Sequence, residues 1–140
     1  MSKSTATEIW VFGDLRSRHL LDLSLKVLVK AANLAGETGD RVVLFTLTPA
    51  TTGVLTGAED EACAIETSVA DEAFAWGADA IYYFENEQFA TPLVHQFAAA
   101  LAPVIEDRCP RLVLFPLTDF GRDLAARCAS RARAGLMADC

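Results

Sequence analysis

A chain of 140 residues, 52% hydrophobic and 22% charged, can bury a core as one domain and is too apolar to be disordered. Its formal charge of −7 argues against nucleic-acid binding, which draws on an excess of Lys and Arg, and an acidic surface serves solubility and repels anionic membranes. Met1 to Thr5 shows no apolar segment behind a basic cap, and no apolar run approaches the roughly 20 residues that span a bilayer, so neither a signal peptide nor a membrane span is expected.

Glu8-Ile9-Trp10-Val11-Phe12 is a short apolar run ending at Gly13-Asp14, which predicts a first strand buried on both faces. From Leu20 to Glu37, Leu21, Leu25, Leu28, Ala32 and Ala35 recur at helical steps and form one apolar stripe, with Lys26, Lys30, Asn33 and Glu37 elsewhere on the surface. Gly36 and Gly39 mark the helix exit. A second strand follows over Arg41 to Leu47. Pro49 to Asp60 is rich in Thr and Gly and reads as loop, with a short helical piece over Glu59 to Ile65. A helix from about Thr67 to Trp76 ends at Gly77, before a third strand, Ala80 to Phe84.

Glu85-Asn86-Glu87 is a polar turn. Thr91-Pro92 supplies a capping hydroxyl and a first-turn proline for the next helix, whose Leu93, Phe97, Ala100, Leu101 and Val104 face inward. Pro103 should kink that helix or end its first part. Cys109-Pro110 breaks the pattern before a fourth strand, Arg111 to Phe115. Thr118 or Asp119 caps a helix over Phe120 to Ala132, and Gly135 to Cys140 leads toward a fifth strand or a connection. Strands and helices alternate without a hairpin signal. The expected fold is therefore α/β: a Rossmann-like open parallel sheet with helices on both faces, in three layers and one domain.

Chemistry is sparse. Cys63, Cys109, Cys128 and Cys140 form no CxxC pair, and His19 and His95 lie at no metal-like spacing from them, which suggests reduced thiols in a cytoplasmic or mitochondrial-matrix setting. No GxSxG elbow exists, and neither GxGxxG nor GxxxxGK[ST] occurs. The acidic run Glu59-Asp60-Glu61 reads as a solvated face, and Trp10 and Trp76 as core anchors. In the first strand–helix turn, Arg16 and Arg18 suit either a phosphate or, preferably, a solvated turn. The more pointed candidates are Thr118, Gly121, Arg122, Asp123 and Arg127. Gly121 permits close backbone approach at a helix start, and Arg122 offers a planar fork to a carboxylate or phosphate. Asp123 sits where the helix dipole favours negative charge, one turn before Arg127, so a capped helix with one surface ion pair is the plainer alternative to a partner or nucleotide contact.

Thr118 to Cys140, TDFGRDLAARCASRARAGLMADC, closely resembles the GRDLAPR…GLTADC signature of electron transfer flavoprotein alpha subunits, the FixB-type family. Ile9 to Phe12 resembles that family's opening strand, Ser24 to Ala35 its first helix of the SLELLGKARELA kind, Trp76 to Tyr82 its GADKVYV turn and strand, and Arg111 to Phe115 its PxIVLFG strand. Ala126 stands in place of the usual proline, Met137 of a threonine and Pro116 of a small residue, and Thr51 to Glu61 is atypical. The resemblance implies that residues 1–140 are the N-terminal domain of such an alpha subunit, without the C-terminal flavin-binding domain. It implies a scaffold or docking role rather than an enzyme, in a heterodimer with a beta subunit. FAD would lie mainly in the alpha subunit's C-terminal domain and AMP or a second FAD in the beta subunit, with electrons passing from flavin dehydrogenases to a downstream acceptor. No residue of this chain is assigned to the flavin or to catalysis. The alternative is a freestanding nucleotide-binding module of universal-stress-protein type. That reading calls for a G-x2-G-x9-G-[ST] loop near the end, and Gly121 and Gly135 lack its companions.

Overall fold

A computed structural model of the chain describes residues 7–48, 70–85, 89, 93–132 and 135. The first strand, β1 (Glu8–Phe12), leads through a short turn into α1 (Arg18–Thr38) and then β2 (Arg41–Thr48). Residues 70–75 form helical turns, α2, and are followed by β3 (Ala80–Glu85), α3 (Val94–Arg108), β4 (Leu112–Leu114) and α4 (Asp119–Ala132). All pairings are parallel, and the strand order is β3-β2-β1-β4. The architecture is the three-layer α/β sheet expected from the alternation of elements. The expected loop 49–60 and helical piece 59–65, the first turns of the 67–76 helix, the turn after Glu85 and the run into Cys140 lie wholly or mostly outside the described residues. Among the described residues no helix is long and apolar enough to cross a membrane.

The alternation of side chains along a strand divides the core in two. Ile9 and Val11 pack with Val42, Leu44 and the α1 stripe of Leu21, Leu25, Leu28, Ala31 and Ala35. Trp10 and Phe12 point the other way, onto Val43, Phe45, Phe97, Leu101, Leu124 and Cys128. Because both faces of β1 are covered, four of its five residues are buried, which accounts for its unbroken apolar run. The second face is rich in rings: Trp10 meets Phe45 at 5.6 Å and Tyr82 edge-on at 5.7 Å.

Helix α1 is capped at both ends. The Ser17 hydroxyl accepts from the Leu20 N–H, and Gly39 closes the helix at φ 81°, a left-handed conformation that glycine adopts without a Cβ penalty. Gly36 lies inside the helix, so only Gly39 marks its end. Three expectations are corrected. Trp76 is 44% exposed, because the helix ends at residue 75 and places it in the turn, while the small Ala73 and Ala78 take the buried positions. A Cβ on the following Gly77 would lie 2.7 Å from the Ala32 Cβ, so α1 and this turn meet at small residues. Leu93 is 38% exposed rather than inward and is itself the N-cap of α3, while the expected Thr91 cap and Pro92 lie outside the described residues. Pro103 does not end α3, which runs on to Arg108; Ala99 and Pro103 are both exposed, so water can serve the Ala99 carbonyl that the proline leaves without its N–H.

At the amino ends of the strands, the Asp40 carboxylate gathers α1, β1 and β4. It accepts from the Thr38 hydroxyl at 2.6 Å, the Arg111 Nε at 2.7 Å and the Thr7 hydroxyl. These donors, Thr38 and Thr7 foremost, hold its pKa below the ordinary carboxylate value.

Candidate functional site

From β1 the chain runs outward to β2 and β3 on one side, while β4 lies on the other. The point where strand order reverses leaves a crevice beyond the carboxyl ends of the two strands, the usual ligand position in an open α/β sheet. Here its walls are Gly13 to Arg16 after β1 and Phe115 to Gly121 after β4.

The first wall is held from within. The Gly13 N–H donates to the Phe45 carbonyl at 2.8 Å, and a Cβ there would lie 2.9 Å from the Thr46 methyl. The Asp14 N–H donates to the Ser24 hydroxyl at 3.0 Å, which in turn donates to the Leu20 carbonyl, tying the turn to α1. The Asp14 side chain is 2% exposed and receives Arg16 in a fork, with Nε at 2.9 Å and Nη2 at 2.7 Å. The Arg16 guanidinium sits 4.0 Å from the Phe120 ring centroid. Phe120 also stacks on Phe12 at 6.4 Å and meets Phe97 edge-on at 5.5 Å. Hydrogen bonding to Asp14 raises the Arg16 pKa further, so the cation is fixed. Arg16 thus stays on an exposed turn, with its side chain a third exposed, but is held there by Asp14 and Phe120. Arg18, 60% exposed, pairs with Glu72 at 2.6 Å and Asp22 at 3.0 Å, which ties α1 to α2.

The second wall contains the candidates named from sequence. The Thr118 hydroxyl accepts from the Gly121 N–H at 2.9 Å, and its carbonyl accepts from the Arg122 N–H at 2.8 Å, so Thr118 is the cap of α4. A Cβ on Gly121 would lie 2.3 Å from the Pro116 carbonyl oxygen, so the turn folds against the helix only because the residue is glycine. Asp123 and Arg127 form the expected one-turn pair at 3.0 Å, with both side chains 50% exposed. Arg122 is exposed and has no ion pair among the described residues. Thr118, Gly121 and Phe120 thus join the crevice wall, while Arg122, Asp123 and Arg127 line the outside of α4. Asp14, Ser24 and Phe120 were not singled out from sequence; Asp14 follows the strand-ending Gly13 directly, but the contact of Arg16 with Phe120 across the crevice has no local signature.

The comparisons with known proteins bear on this geometry. Residues 9–140 match the family described as the electron transfer flavoprotein domain. The chain belongs to that family. Among curated electron transfer flavoprotein relatives, it is 29% identical over 140 residues to the alpha subunit of Clostridium acetobutylicum, covering 100% of this chain and 37% of that protein. It is 30% identical over 132 residues to the protein FixB of Rhizobium meliloti, covering 94% and 34%. It is also 30% identical over 133 residues to the acryloyl-CoA reductase electron transfer subunit beta of Anaerotignum propionicum, covering 95% and 32%. The chain thus spans about a third of the length of these curated electron transfer relatives. A universal stress protein solved in complex with cAMP matches with a TM-score of 0.54 and 19% identity, covering 96% of each chain, which shows the shared fold.

The electron transfer flavoprotein family implies a flavin, so the crevice can be tested for one. A dinucleotide pyrophosphate needs backbone N–H groups reached past small residues. In this turn Leu15, Arg16 and Ser17 precede α1, Asp14 places a carboxylate behind them, and Arg16 lies across Phe120. These residues do not fit a flavin dinucleotide.

Proposed function

We propose that this chain is the N-terminal scaffold and docking domain of the alpha subunit of a heterodimeric electron transfer flavoprotein. In this reading FAD is held outside residues 1–140, in a C-terminal domain of the alpha subunit. The partner is a beta subunit carrying AMP or a second FAD, and the assembly carries electrons from a flavin dehydrogenase to an acceptor. The domain itself performs no catalytic step; it orders the surfaces against which the flavin-bearing parts pack. The observation that carries the reading is the Arg16 guanidinium lying across Phe120 and forked onto buried Asp14, which ties the two walls of the sheet's crevice together with the chain's own side chains. A nucleotide role like that of the cAMP-bound universal stress protein is not favoured, since Gly121 is committed to packing against Pro116.

The test is a titration of residues 1–140 with FAD, AMP and cAMP, followed by flavin fluorescence and calorimetry. No stoichiometric binding is expected at micromolar concentrations, whereas the full-length alpha subunit with its partner retains flavin. Tight binding by the isolated domain would overturn the scaffold reading.

A further inference from the structure

We propose that Leu117 and the neighbouring arginines of α4 form a docking surface for a protein partner whose matching face carries carboxylates around an apolar recess. The proposal rests on the scaffold reading above and names the chemistry of the surface involved.

Leu117 is 63% exposed, more than any other large hydrophobic side chain among the described residues. Its position explains why. With Thr118 as cap, Leu117 occupies the place before the cap and Arg122 the fourth place of the helix, the two positions that usually meet as a hydrophobic staple. Here one member is arginine, so the leucine is left uncovered and an apolar side chain is set beside a cation. Arg122 and Arg131 are exposed and have no ion pair among the described residues, and Arg127 shares a half-exposed pair with Asp123. The local acids are Asp119, in the first turn of α4, and Asp123.

This arrangement stands out against the rest of the chain. Residues 108–140 hold six of the twelve Lys and Arg but three of the nineteen Asp and Glu, so the cationic excess is gathered at this end of a chain of charge −7. An apolar anchor with arginines at its rim has the composition of a protein interface, where arginine is enriched and a few buried anchors carry most of the affinity. Unpaired guanidiniums call for carboxylates opposite them, and such contacts steer association in a salt-dependent way. The acidic balance of the chain and the two aspartates beside the arginines disfavour a polyphosphate strand as the occupant.

The experiment uses the full-length alpha subunit and its partner subunit. Their dissociation constant is measured by calorimetry at low and high salt for the wild type, Leu117→Ser, Arg122→Glu and the distant control Lys30→Glu, with circular dichroism and melting to confirm folding. Expected are a loss of about tenfold or more for each of the first two, a flattened salt dependence only for Arg122→Glu, and no change for Lys30→Glu. If both variants fold and bind as the wild type does, the docking proposal falls while the scaffold reading stands. If the wild type forms no heterodimer, both fall. If Leu117→Ser instead abolishes self-association seen by sedimentation, the occupant is a second copy and the proposal is overturned.

Discussion

The guanidinium of Arg16 lies 4.0 Å from the centre of the Phe120 ring, joining the turn after β1 to the first turn of α4. The two residues come from opposite ends of the chain and meet because β1 and β4 are neighbours in the sheet. The same guanidinium forks onto Asp14, so one cation holds both walls of the crevice.

Arg16→Ala removes the stack and leaves a nearly buried carboxylate without its counter-ion. The Arg16 side chain is a third exposed, which tempers the cost, and a loss of about 2 kcal/mol is expected from these two effects. Urea denaturation measures it. Asp14→Asn in the same background should recover part of the loss, since it removes the stranded charge. A second variant no more stable than Arg16→Ala alone would count against that account.

Two glycines within helices should respond in opposite directions to alanine. Gly121→Ala drives a methyl into the Pro116 carbonyl, a backbone atom that cannot swing aside, and should cost about 1–3 kcal/mol. Gly36, inside α1, has open space where a Cβ would stand, and Gly36→Ala should stabilise by about 0.5–1 kcal/mol. Thermal melts of the two variants decide both points.

Asp40 should make the fold sensitive to acid. Its pKa is lowered in the folded state by the Thr38 and Thr7 hydroxyls and by Arg111. A depressed carboxylate pKa contributes stability that is complete above the unfolded value of 3.8 and is lost as pH falls through the folded value. Urea midpoints measured from neutral pH down to about pH 3 should therefore drop less steeply at the acid end for Asp40→Asn than for the wild type. Parallel curves would show that other carboxylates dominate.

The two described cysteines should differ in reactivity. Burial pushes the Cys128 thiol up to about 12, so little thiolate exists at neutral pH. Cys109 is exposed, at the left-handed C-cap of α3 with φ 51°. In a background with Cys63 and Cys140 replaced by serine, a thiol reagent at neutral pH should label Cys109 promptly and Cys128 only on unfolding. Fast labelling of Cys128 in the folded protein would contradict its packing against α3 and the sheet.

Much of the fold was legible because its signals are local or periodic. The Leu21, Leu25 and Leu28 stripe identifies α1, and the unbroken run of β1 identifies a strand covered on both faces. On α4, a cap at Thr118 or Asp119 and the Asp123–Arg127 pair follow from spacing within one or two turns, whereas the packing of Gly121 on the Pro116 carbonyl does not. The crevice was not legible, because Phe120 is brought to Arg16 by the pairing of β1 with β4 rather than by sequence proximity. Trp76 misled for a different reason: ring size suggested the core, whereas its burial was decided by falling one residue past the helix. Leu117 went unread because its exposure depends on what stands five residues later.

The pairing of Ile9 with Leu112 also sets the order in which the chain can fold. Contacts among β1, α1 and β2 are short-range in sequence, so the face built on Ile9, Val11 and the α1 leucines can form early in synthesis. The opposite face cannot. Trp10, Phe12 and Phe45 wait for Phe97, Leu101 and Leu124, which emerge from the ribosome much later. For that interval the nascent chain carries a half-built sheet with an aromatic surface open to solvent, and this is the stage at which a chaperone has most to shield.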